Sequence, residues 1–428
     1  MLFKNITIID ENIEVKENMF VAVKDDKIVY VGDKEPAGEY GRVYDGKGKL
    51  LMSAFYNAHG HSPMTLLRGY GENMNLQDWL FTKIFPFEDH LNSDAVYSGQ
   101  MLAIAESVKN GIVSTSDMYY FTDDMVKAVS EAKAKSNISR SISISETEKV
   151  FELPKIKDIY RTAKAYNGMD NGRIKIDASA HSEYTNSPEA IAEVVKFSKE
   201  NNLIFHVHVS ETKTEHEECK ARHNMTPIEL MDSLGAWDQP SLLAHCVWVE
   251  EHDFEIMKKK GVYVAANPIS NLKLASGVSN VPKMLEMGIN VALGTDSVCS
   301  NNSLNFFEEM KAFATVSKMY YKDPTVVTPK QAIYAATRAG ALAQGRSDCG
   351  LIKEGFKADL IVVDIDQPNM VPVHNLLNNI VYSAEAGDIK MTMCDGTVLY
   401  EDGEYKTLDI EKTKSQVIEN TNKILAEL

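Results

Sequence analysis

The stretch Ala54-Phe-Tyr-Asn-Ala-His-Gly-His61 decides how the fold of this chain is interpreted. It continues an apolar run that starts at Lys49, and such a run is typical of a strand buried in a parallel sheet. His59 and His61 stand two residues apart at its end, and side chains at that spacing point to the same face of a strand. The two imidazoles can therefore reach one metal ion, although so short a His-x-His pair also arises by chance.

The composition is that of a globular chain in water: 44% of the 428 residues are hydrophobic and 25% are charged. No uncharged apolar run approaches the ~18 residues of a membrane span, and the N-terminus lacks the regions of a signal peptide. Five scattered cysteines without a Cys-x-x-Cys motif indicate reduced thiols, so we expect a cytoplasmic protein. The net charge of −16 disfavours nucleic acid as a partner, because that surface is itself negative.

Two kinds of hydrophobic pattern divide the chain. Between positions 51 and 346, eight short apolar runs alternate with helical stretches, which fits a TIM-like (β/α)8 barrel. Residues 1–50 and 347–428 alternate in short runs and are expected to form one small β-sandwich domain from both chain ends, with a C-terminal helix. A doubly wound open sheet is the competing arrangement, but no Gly-x-Gly-x-x-Gly motif follows any predicted strand.

Further polar residues fall at the ends of later predicted strands. His208 ends the fifth strand, His245 the sixth and Asp296 the eighth. In a (β/α)8 barrel all strand C-termini open on one face, where the chemistry is done. Together with His59 and His61, these residues predict a hydrolytic site. No lysine ends the fourth strand, where a second metal ion would need a bridging group, so we expect a single ion.

The residue types suit metal-assisted hydrolysis. Neutral imidazoles and one carboxylate hold a divalent ion and leave a position for a water, whose pKa the ion lowers. Asp296 can accept the proton of that water, and Glu211 can pass a proton to a substrate nitrogen. His206 lies two residues before His208, and the sequence leaves open whether it is a ligand or a buried core histidine. Five other histidines stand in helical or polar contexts and are expected in solvent: His90, His216, His223, His252 and His374.

These motifs resemble the amidohydrolase superfamily, and within it the S-adenosylhomocysteine/5′-methylthioadenosine deaminases. The resemblance runs over nearly the whole chain and is carried by Asn57-Ala-His-Gly-His61, His206-Val-His-Val-Ser-Glu-Thr212, Ala244-His-Cys-Val247 and Leu293-Gly-Thr-Asp-Ser297. It implies one divalent metal ion, zinc with iron as the alternative. The implied ligands are His59, His61, His208 and Asp296. It also implies that Glu211 and His245 are the pair that moves protons and orients the water.

The resemblance implies a set of substrate contacts as well, with Glu211 among them. Glu88 falls where the family holds ribose hydroxyls, and His181 falls where it contacts the purine. Trp79 lies on a predicted helix that covers the pocket, where ordinary helix packing explains it equally well. Arg140 matches a position that meets the tail of the substrate. A second tail-binding arginine is expected in the following loop, which has none.

The implied reaction is the deamination of an adenine-type nucleoside at C6, which yields the inosine analogue and ammonia. The implied substrates are 5′-methylthioadenosine, S-adenosylhomocysteine or adenosine, and the absent second arginine weighs against S-adenosylhomocysteine. Deamination or dechlorination of another heterocycle, such as guanine or a triazine, is the nearest alternative. A catalytically inactive metal-binding protein is the alternative from another class. A small-molecule partner is expected, no membrane partner is, and a homo-oligomer is left open.

Overall fold

The computed structural model describes residues 1–428 and divides the strands between two sheets. The seventeen strands are β1 (Leu2–Ile9), β2 (Val15–Lys24), β3 (Lys27–Gly32), β4 (Val43–Asp45), β5 (Lys49–Ser53), β6 (Phe55–Gly60), β7 (Ile112–Tyr119), β8 (Lys135–Arg140), β9 (Ile174–Ser179), β10 (Phe205–Val209), β11 (Ser241–His245), β12 (Tyr263–Ala266), β13 (Asn290–Leu293), β14 (Leu360–Asp364), β15 (Ile389–Cys394), β16 (Thr397–Glu401) and β17 (Glu404–Tyr405).

Helices fill most of the connections. The α-helices are α1 (Leu76–Trp79), α2 (Phe85–Glu88), α3 (Ser93–Lys109), α4 (Thr122–Ala132), α5 (Pro154–Tyr166), α6 (Met169–Gly172), α7 (Pro188–Glu200), α8 (Lys213–His223), α9 (Pro227–Ser233), α10 (Glu251–Lys260), α11 (Pro268–Lys273), α12 (Val281–Glu286), α13 (Phe306–Tyr321), α14 (Pro329–Tyr334), α15 (Gly340–Ala343), α16 (Leu376–Tyr382) and α17 (Ile410–Leu425). Short 3₁₀ or π turns cover Ser62–Leu67, Leu80–Ile84, Val150–Glu152, Ala335–Ala339 and Ala386–Asp388.

Strands β6 to β13 form the predicted barrel of eight parallel strands, each paired with its neighbour in the sequence. The register between β10 and β11 sets Val209 beside His245. The first and last strands meet through a bridge between Gly60 and Asp296. There the amide of Asp296 donates to the carbonyl of His59 at 3.0 Å. Barrel closure therefore brings together two strand ends that carry predicted metal ligands.

Both chain ends contribute to a second, mixed sheet, in the order β17-β16-β15-β14-β5-β1-β2-β3 with β4 beside β1. The N-terminal strand β5 pairs antiparallel with the C-terminal strand β14. Across this pairing, Lys49 binds Asp364 at 3.0 Å. Thirteen buried apolar side chains, among them Phe3, Leu51 and Val362, form a core separate from that of the barrel. The two ends thus complete one hydrophobic unit between them.

The apolar run from Lys49 forms two strands rather than the single buried strand predicted from it. Strand β5 belongs to the end sheet and β6 to the barrel, with Ala54 between them. The side chains of β5 alternate between two cores, because successive residues of a strand point to opposite faces. Leu50 and Met52 pack in the barrel core, and Leu51 packs in the core of the end sheet. Burial on both faces gives β5 the uninterrupted apolar pattern of a parallel strand.

Helix α14 begins after Thr328. Its first turn contains a capping box: the Thr328 hydroxyl accepts from the Gln331 amide, and the Gln331 side chain accepts from the Thr328 amide. A π turn at Ala335–Ala339 separates α14 from α15. No helix of the chain combines the length and the apolar character needed to cross a membrane.

Candidate active site

The predicted ligands converge at the C-terminal ends of β6, β10 and β13. The Nε2 atom of His61 lies 3.2 Å from Nε2 of His208 and 3.3 Å from Oδ1 of Asp296. The Nε2 atom of His59 lies 3.4 Å from the same carboxylate oxygen. The His59 side chain is fully buried and that of His61 is 12% exposed, so water screens this group of charges and dipoles weakly. The structure brings all four residues of the predicted ligand set together.

His245 lies close to the same cluster. One potential ligand atom from each of four residues lies within 4.8 Å of the others: His59, His208, His245 and Asp296. The Nε2 atom of His245 is 3.8 Å from the carboxylate of Glu211, and its Nδ1 is 2.8 Å from the amide oxygen of Asn271. Because an amide oxygen accepts, this bond places the hydrogen on Nδ1 and leaves a lone pair on Nε2.

Main-chain hydrogen bonds fix the tautomers of two cluster imidazoles. The Nδ1 of His61 donates to the carbonyl of Met118, and the Nδ1 of His208 donates to the carbonyl of His181, both at 2.6 Å. A carbonyl only accepts, so in the neutral imidazoles both Nε2 atoms carry lone pairs. These lone pairs face each other at 3.2 Å. A cation beside them removes the repulsion, and the residues present therefore fit a divalent metal ion.

Asp296 presents one oxygen to the imidazoles and anchors the other. Its Oδ2 accepts hydrogen bonds from the hydroxyls of Ser270 at 2.6 Å and Ser300 at 2.8 Å. These two hydrogen bonds from hydroxyl groups favour the ionised form of the Asp296 carboxyl group. The side chain is thus ionised, which is the form that binds a metal ion.

His206 contacts the cluster from one side. Its Nε2 lies 3.0 Å from Nδ1 of His59, and both side chains are fully buried. Burial lowers the pKa of His59 to about 4 and places that of His206 well below its ordinary value, so both are neutral near pH 7. When Nδ1 of His59 carries the hydrogen, it donates to Nε2 of His206. The Nε2 atom of His59 then has a lone pair and no hydrogen-bond partner, and it faces the cluster. His206 thus contacts a predicted ligand and stands outside the predicted ligand set.

The main chain turns sharply at the strand ends that carry the site. Ser210, His245, Cys246 and Asp296 all have positive φ, between 46° and 76°. Residues other than glycine seldom adopt this left-handed conformation, and those that do cluster at functional sites. The strained turns therefore mark the strand ends that carry the site.

Glu215 holds one of these turns, a role that was not predicted from the sequence. Its carboxylate accepts from the amides of Ser210 at 2.8 Å and Glu211 at 2.7 Å. A signal was present, because Thr212 and Glu215 have the Thr-x-x-Glu spacing of a helix start. Thr212 does cap α8. The carboxylate, however, binds the end of the strand rather than the cap residue, which only the three-dimensional structure shows.

Glu211 is 5% exposed and points into the cavity above the cluster. Burial raises the pKa of Glu211, and the negative charge of Asp296 adds to this rise. A raised pKa lets the carboxyl group hold a proton closer to neutral pH than an exposed glutamate can. This property suits a group that gives a proton to a substrate and takes one back.

A cavity lined by 20 residues lies above the cluster. Its polar part is formed around the cluster, and its apolar part comes largely from the helical segment that follows β6. The predicted substrate contacts Glu88, His181, Trp79 and Glu211 all line it. Trp79 is 5% exposed and packs in the barrel core as well, so both interpretations of it apply.

Arg140 is the predicted substrate contact that the structure does not bring into the cavity. Its guanidinium packs over the ring of Tyr120 at 4.9 Å, and Nη1 donates to the carbonyl of Ser141 at 2.6 Å. Its Nε lies 3.5 Å from the carboxylate of Asp158. Tyr120 and Ser141 line the cavity, whereas Arg140 does not.

Burial shifts the pKa values of Glu88 and His181 in opposite directions. Burial raises the pKa of Glu88 to about 7, although the hydroxyls of Tyr119 and Tyr120 oppose the rise. Burial also lowers the pKa of His181 to about 3, so its imidazole is neutral. Its Nδ1 lies 3.1 Å from the hydroxyl of Ser182, which leaves Nε2 for a ligand.

One histidine expected in solvent is buried. His216 on α8 is 7% exposed, and its Nε2 lies 2.9 Å from the carboxylate of Glu250. The carboxylate partner compensates the polar imidazole for the loss of water, which explains why a polar helix can bury it. His252 and His374 are exposed as expected. None of these three lines the cavity.

Comparisons with known proteins agree with this site. Residues 50–399 match the model of the amidohydrolase family. A 5-methylthioadenosine/S-adenosylhomocysteine deaminase of Dictyoglomus turgidum is 39% identical over 413 residues, which cover 96% of each chain. A 5′-deoxyadenosine deaminase of Methanothermobacter thermautotrophicus is 38% identical over 390 residues, which cover 91% of each chain.

A solved structure extends the comparison. The adenosine deaminase from Xanthomonas campestris with bound zinc has a TM-score of 0.92 and 26% identity to this chain, and the match covers 99% of this chain and 98% of that one. Zinc in that relative and the buried group of three histidines and an aspartate here support a site for a divalent metal ion. The chain belongs to the amidohydrolase family.

Proposed function

We propose that this protein is a metal-dependent aminohydrolase that converts an adenine nucleoside to its inosine analogue and ammonia. One observation carries the proposal: imidazole nitrogens and an anchored carboxylate converge beneath a cavity that Glu211 and His245 also line. The names of the relatives at 38% and 39% identity, both deaminases of adenine nucleosides, support the substrate class.

The proposed ligands are His59, His61, His208 and Asp296, and they hold one ion per chain. Zinc is the proposed ion, with iron as the alternative, and the zinc-bound relative supports this choice. Such an ion lowers the pKa of a water and makes it a nucleophile near neutral pH. His245 is proposed to orient that water, because its Nδ1 is fixed by Asn271 and its Nε2 faces the cluster.

Glu211 and Asp296 divide the proton transfers in this proposal. As water adds to C6 of the purine, Oδ1 of Asp296 accepts one proton, and Glu211 gives a proton to the adjacent ring nitrogen. The amino group takes the proton from Asp296, the C6–N bond breaks, and ammonia leaves. The proton of the remaining hydroxyl returns to Glu211, which yields the C6 carbonyl and restores both carboxyl groups. Both residues line the cavity, as the scheme requires.

Three further residues are proposed to position the nucleoside. The carboxyl group of Glu88 would accept hydrogen bonds from the ribose hydroxyls. The neutral imidazole of His181 would hydrogen-bond to the purine, and Trp79 would cover it. All three line the cavity, which supports their assignment.

A screen of metal-loaded protein tests the proposal. Ammonia release is measured with adenosine, 5′-methylthioadenosine and guanine, and chloride release is measured with a chlorotriazine. We expect ammonia from the adenine nucleosides, loss of activity on chelation and recovery on adding zinc. Turnover of guanine or the triazine alone would reassign the substrate. Metal-loaded protein that turns over none of them would contradict an enzymatic role.

A further inference from the structure

Resting on the proposed nucleoside deamination, we propose that this protein selects substrates with a small, uncharged and apolar 5′ substituent. A 5′-methylthio or 5′-deoxy nucleoside fits this description. S-adenosylhomocysteine does not, because its amino-acid tail carries an ammonium and a carboxylate at neutral pH. A carboxylate that leaves water for a protein cavity needs a cationic or strongly hydrogen-bonding partner to offset its lost hydration.

The cavity supplies no such cation. No lysine or arginine is among the 20 residues that line it. Its carboxyl groups are Glu88, Glu211 and Asp296, which disfavour a further negative charge. The imidazoles of His61 and His208 direct Nε2 at the proposed metal site and donate through Nδ1 to main-chain carbonyls. Neither imidazole therefore offers a free N–H to the substrate tail.

Cations on neighbouring elements already have partners. Arg140, at the end of β8, packs on Tyr120 and lies 3.5 Å from Asp158. Arg161, on α5, binds the same Asp158 at 2.8 Å. Lys155 donates to a main-chain carbonyl at 3.0 Å. Bringing the guanidinium of Arg140 into the cavity would break its contacts with Tyr120 and Asp158.

The rest of the cavity wall favours an apolar group. Eleven of the 20 lining residues are hydrophobic. The segment between β6 and α3 contributes six of these: Met64, Leu76, Trp79, Leu80, Ile84 and Phe85. A methyl or methylthio group that packs against such a wall is removed from water, which is favourable. The aliphatic and phenylalanine side chains of this wall offer no hydrogen bond to a charged tail.

Steady-state kinetics of the metal-loaded protein test the inference. The kcat/KM values for 5′-methylthioadenosine and 5′-deoxyadenosine are expected to exceed that for S-adenosylhomocysteine by about tenfold or more, which corresponds to about 1.4 kcal/mol or more. An equal or higher value for S-adenosylhomocysteine would overturn the inference and leave the proposed function standing. Absence of turnover with every adenine nucleoside would overturn the proposed function itself.

Two variants locate the cause. In Arg140→Met, kcat/KM for S-adenosylhomocysteine and 5′-methylthioadenosine should change by the same factor, as in the matched control Arg161→Met, which removes the other partner of Asp158. A selective tenfold loss for S-adenosylhomocysteine in Arg140→Met alone would place Arg140 at the substrate tail and contradict the inference.

A measurement on the unaltered protein avoids any folding defect in these variants. S-adenosylhomocysteine should inhibit the deamination of 5′-methylthioadenosine only at concentrations about tenfold or more above the KM for 5′-methylthioadenosine. Half-inhibition at a concentration near that KM would show that the cavity accepts the charged tail, and the inference would fail.

Discussion

The two ends of the barrel both bury charged side chains, but they pair them differently. At the N-terminal end, Nζ of Lys135 binds the carboxylates of Asp359 and Asp395, and the hydroxyl of Tyr56 also donates to Asp359. The side chains of Lys135 and Asp359 are 2% and 0% exposed. Donors and acceptors there satisfy one another, and they join the barrel to the end sheet.

The C-terminal end leaves its polar atoms incomplete. In the neutral imidazoles, the facing Nε2 atoms of His61 and His208 share no hydrogen, and Nε2 of His59 has no hydrogen-bond partner. Groups arranged in this way gain stability only when a ligand joins them. This difference indicates that the N-terminal end of the barrel stabilises the fold and that the C-terminal end carries the chemistry, as is usual in (β/α)8 barrels.

The largest expected effect is on turnover in Glu211→Gln. An amide cannot carry the proton, so kcat should fall by roughly 10²- to 10⁴-fold, which is the usual contribution of a positioned acid or base. The melting temperature should change little. Glu217→Gln, at an exposed position on the helix α8 that follows Glu211, is the matched control and should keep full activity. A variant that keeps most of its turnover would remove Glu211 from the reaction.

The N-terminal end should respond in the opposite way. Lys135→Met leaves Asp359 buried without its cation, and breaking a buried ion pair typically costs about 3–5 kcal/mol of stability. Chemical denaturation should show this loss, while kcat per folded molecule stays near the normal value. The exposed Lys164→Met serves as the control and should cost little. A large loss of kcat with unchanged stability in Lys135→Met would contradict the division between the two ends.

This contrast also explains what the sequence could and could not predict. His59, His208 and Asp296 each follow an apolar run, so local periodicity predicts that they stand at strand ends, and parallel strands place those ends on one face. The pairing of Lys135 with Asp359 spans 224 positions and has no local signature. It depends on how the end sheet docks against the barrel.

Side-chain direction was the other limit of prediction. Arg140 lies at the predicted strand end, but its orientation depends on Tyr120, just after β7, and on Asp158 in α5. The sequence did not reveal that β5 belongs to the end sheet, because its two apolar faces pack in different cores. Local pattern predicts which face of a strand a residue occupies; contacts between distant elements decide what it meets there.

A smaller effect is expected for Glu88→Ala at the cavity wall. Its carboxyl group can accept hydrogen bonds from two vicinal ribose hydroxyls, and such charge-assisted bonds contribute roughly 1.5–3 kcal/mol. The kcat/KM for adenosine-type substrates should fall by roughly ten- to a hundredfold. The loss should be much smaller for 2′,3′-dideoxy analogues. Equal losses for both, or none in either, would remove Glu88 from ribose binding, and Asp89→Ala controls for disturbance of α2.

The smallest expected effect is on the pH profile. With a pKa of about 7, Glu88 is mostly neutral below that pH and mostly ionised above it. Because the ionised form accepts the stronger hydrogen bonds, kcat/KM should rise as the pH increases through about 7, by up to roughly tenfold. Glu88→Gln cannot ionise and should lack this rising limb. A limb that persists unchanged in the variant would assign it to another group.

The central claim is that the incomplete end of the barrel is a site for one metal ion with Glu211 outside its ligand set. Elemental analysis of the unaltered protein and of Glu211→Gln tests it most directly. The account predicts close to one divalent ion per chain in both. Two ions per chain, or none in an active protein, would contradict the single-ion site, and loss of the ion in Glu211→Gln alone would make Glu211 a ligand.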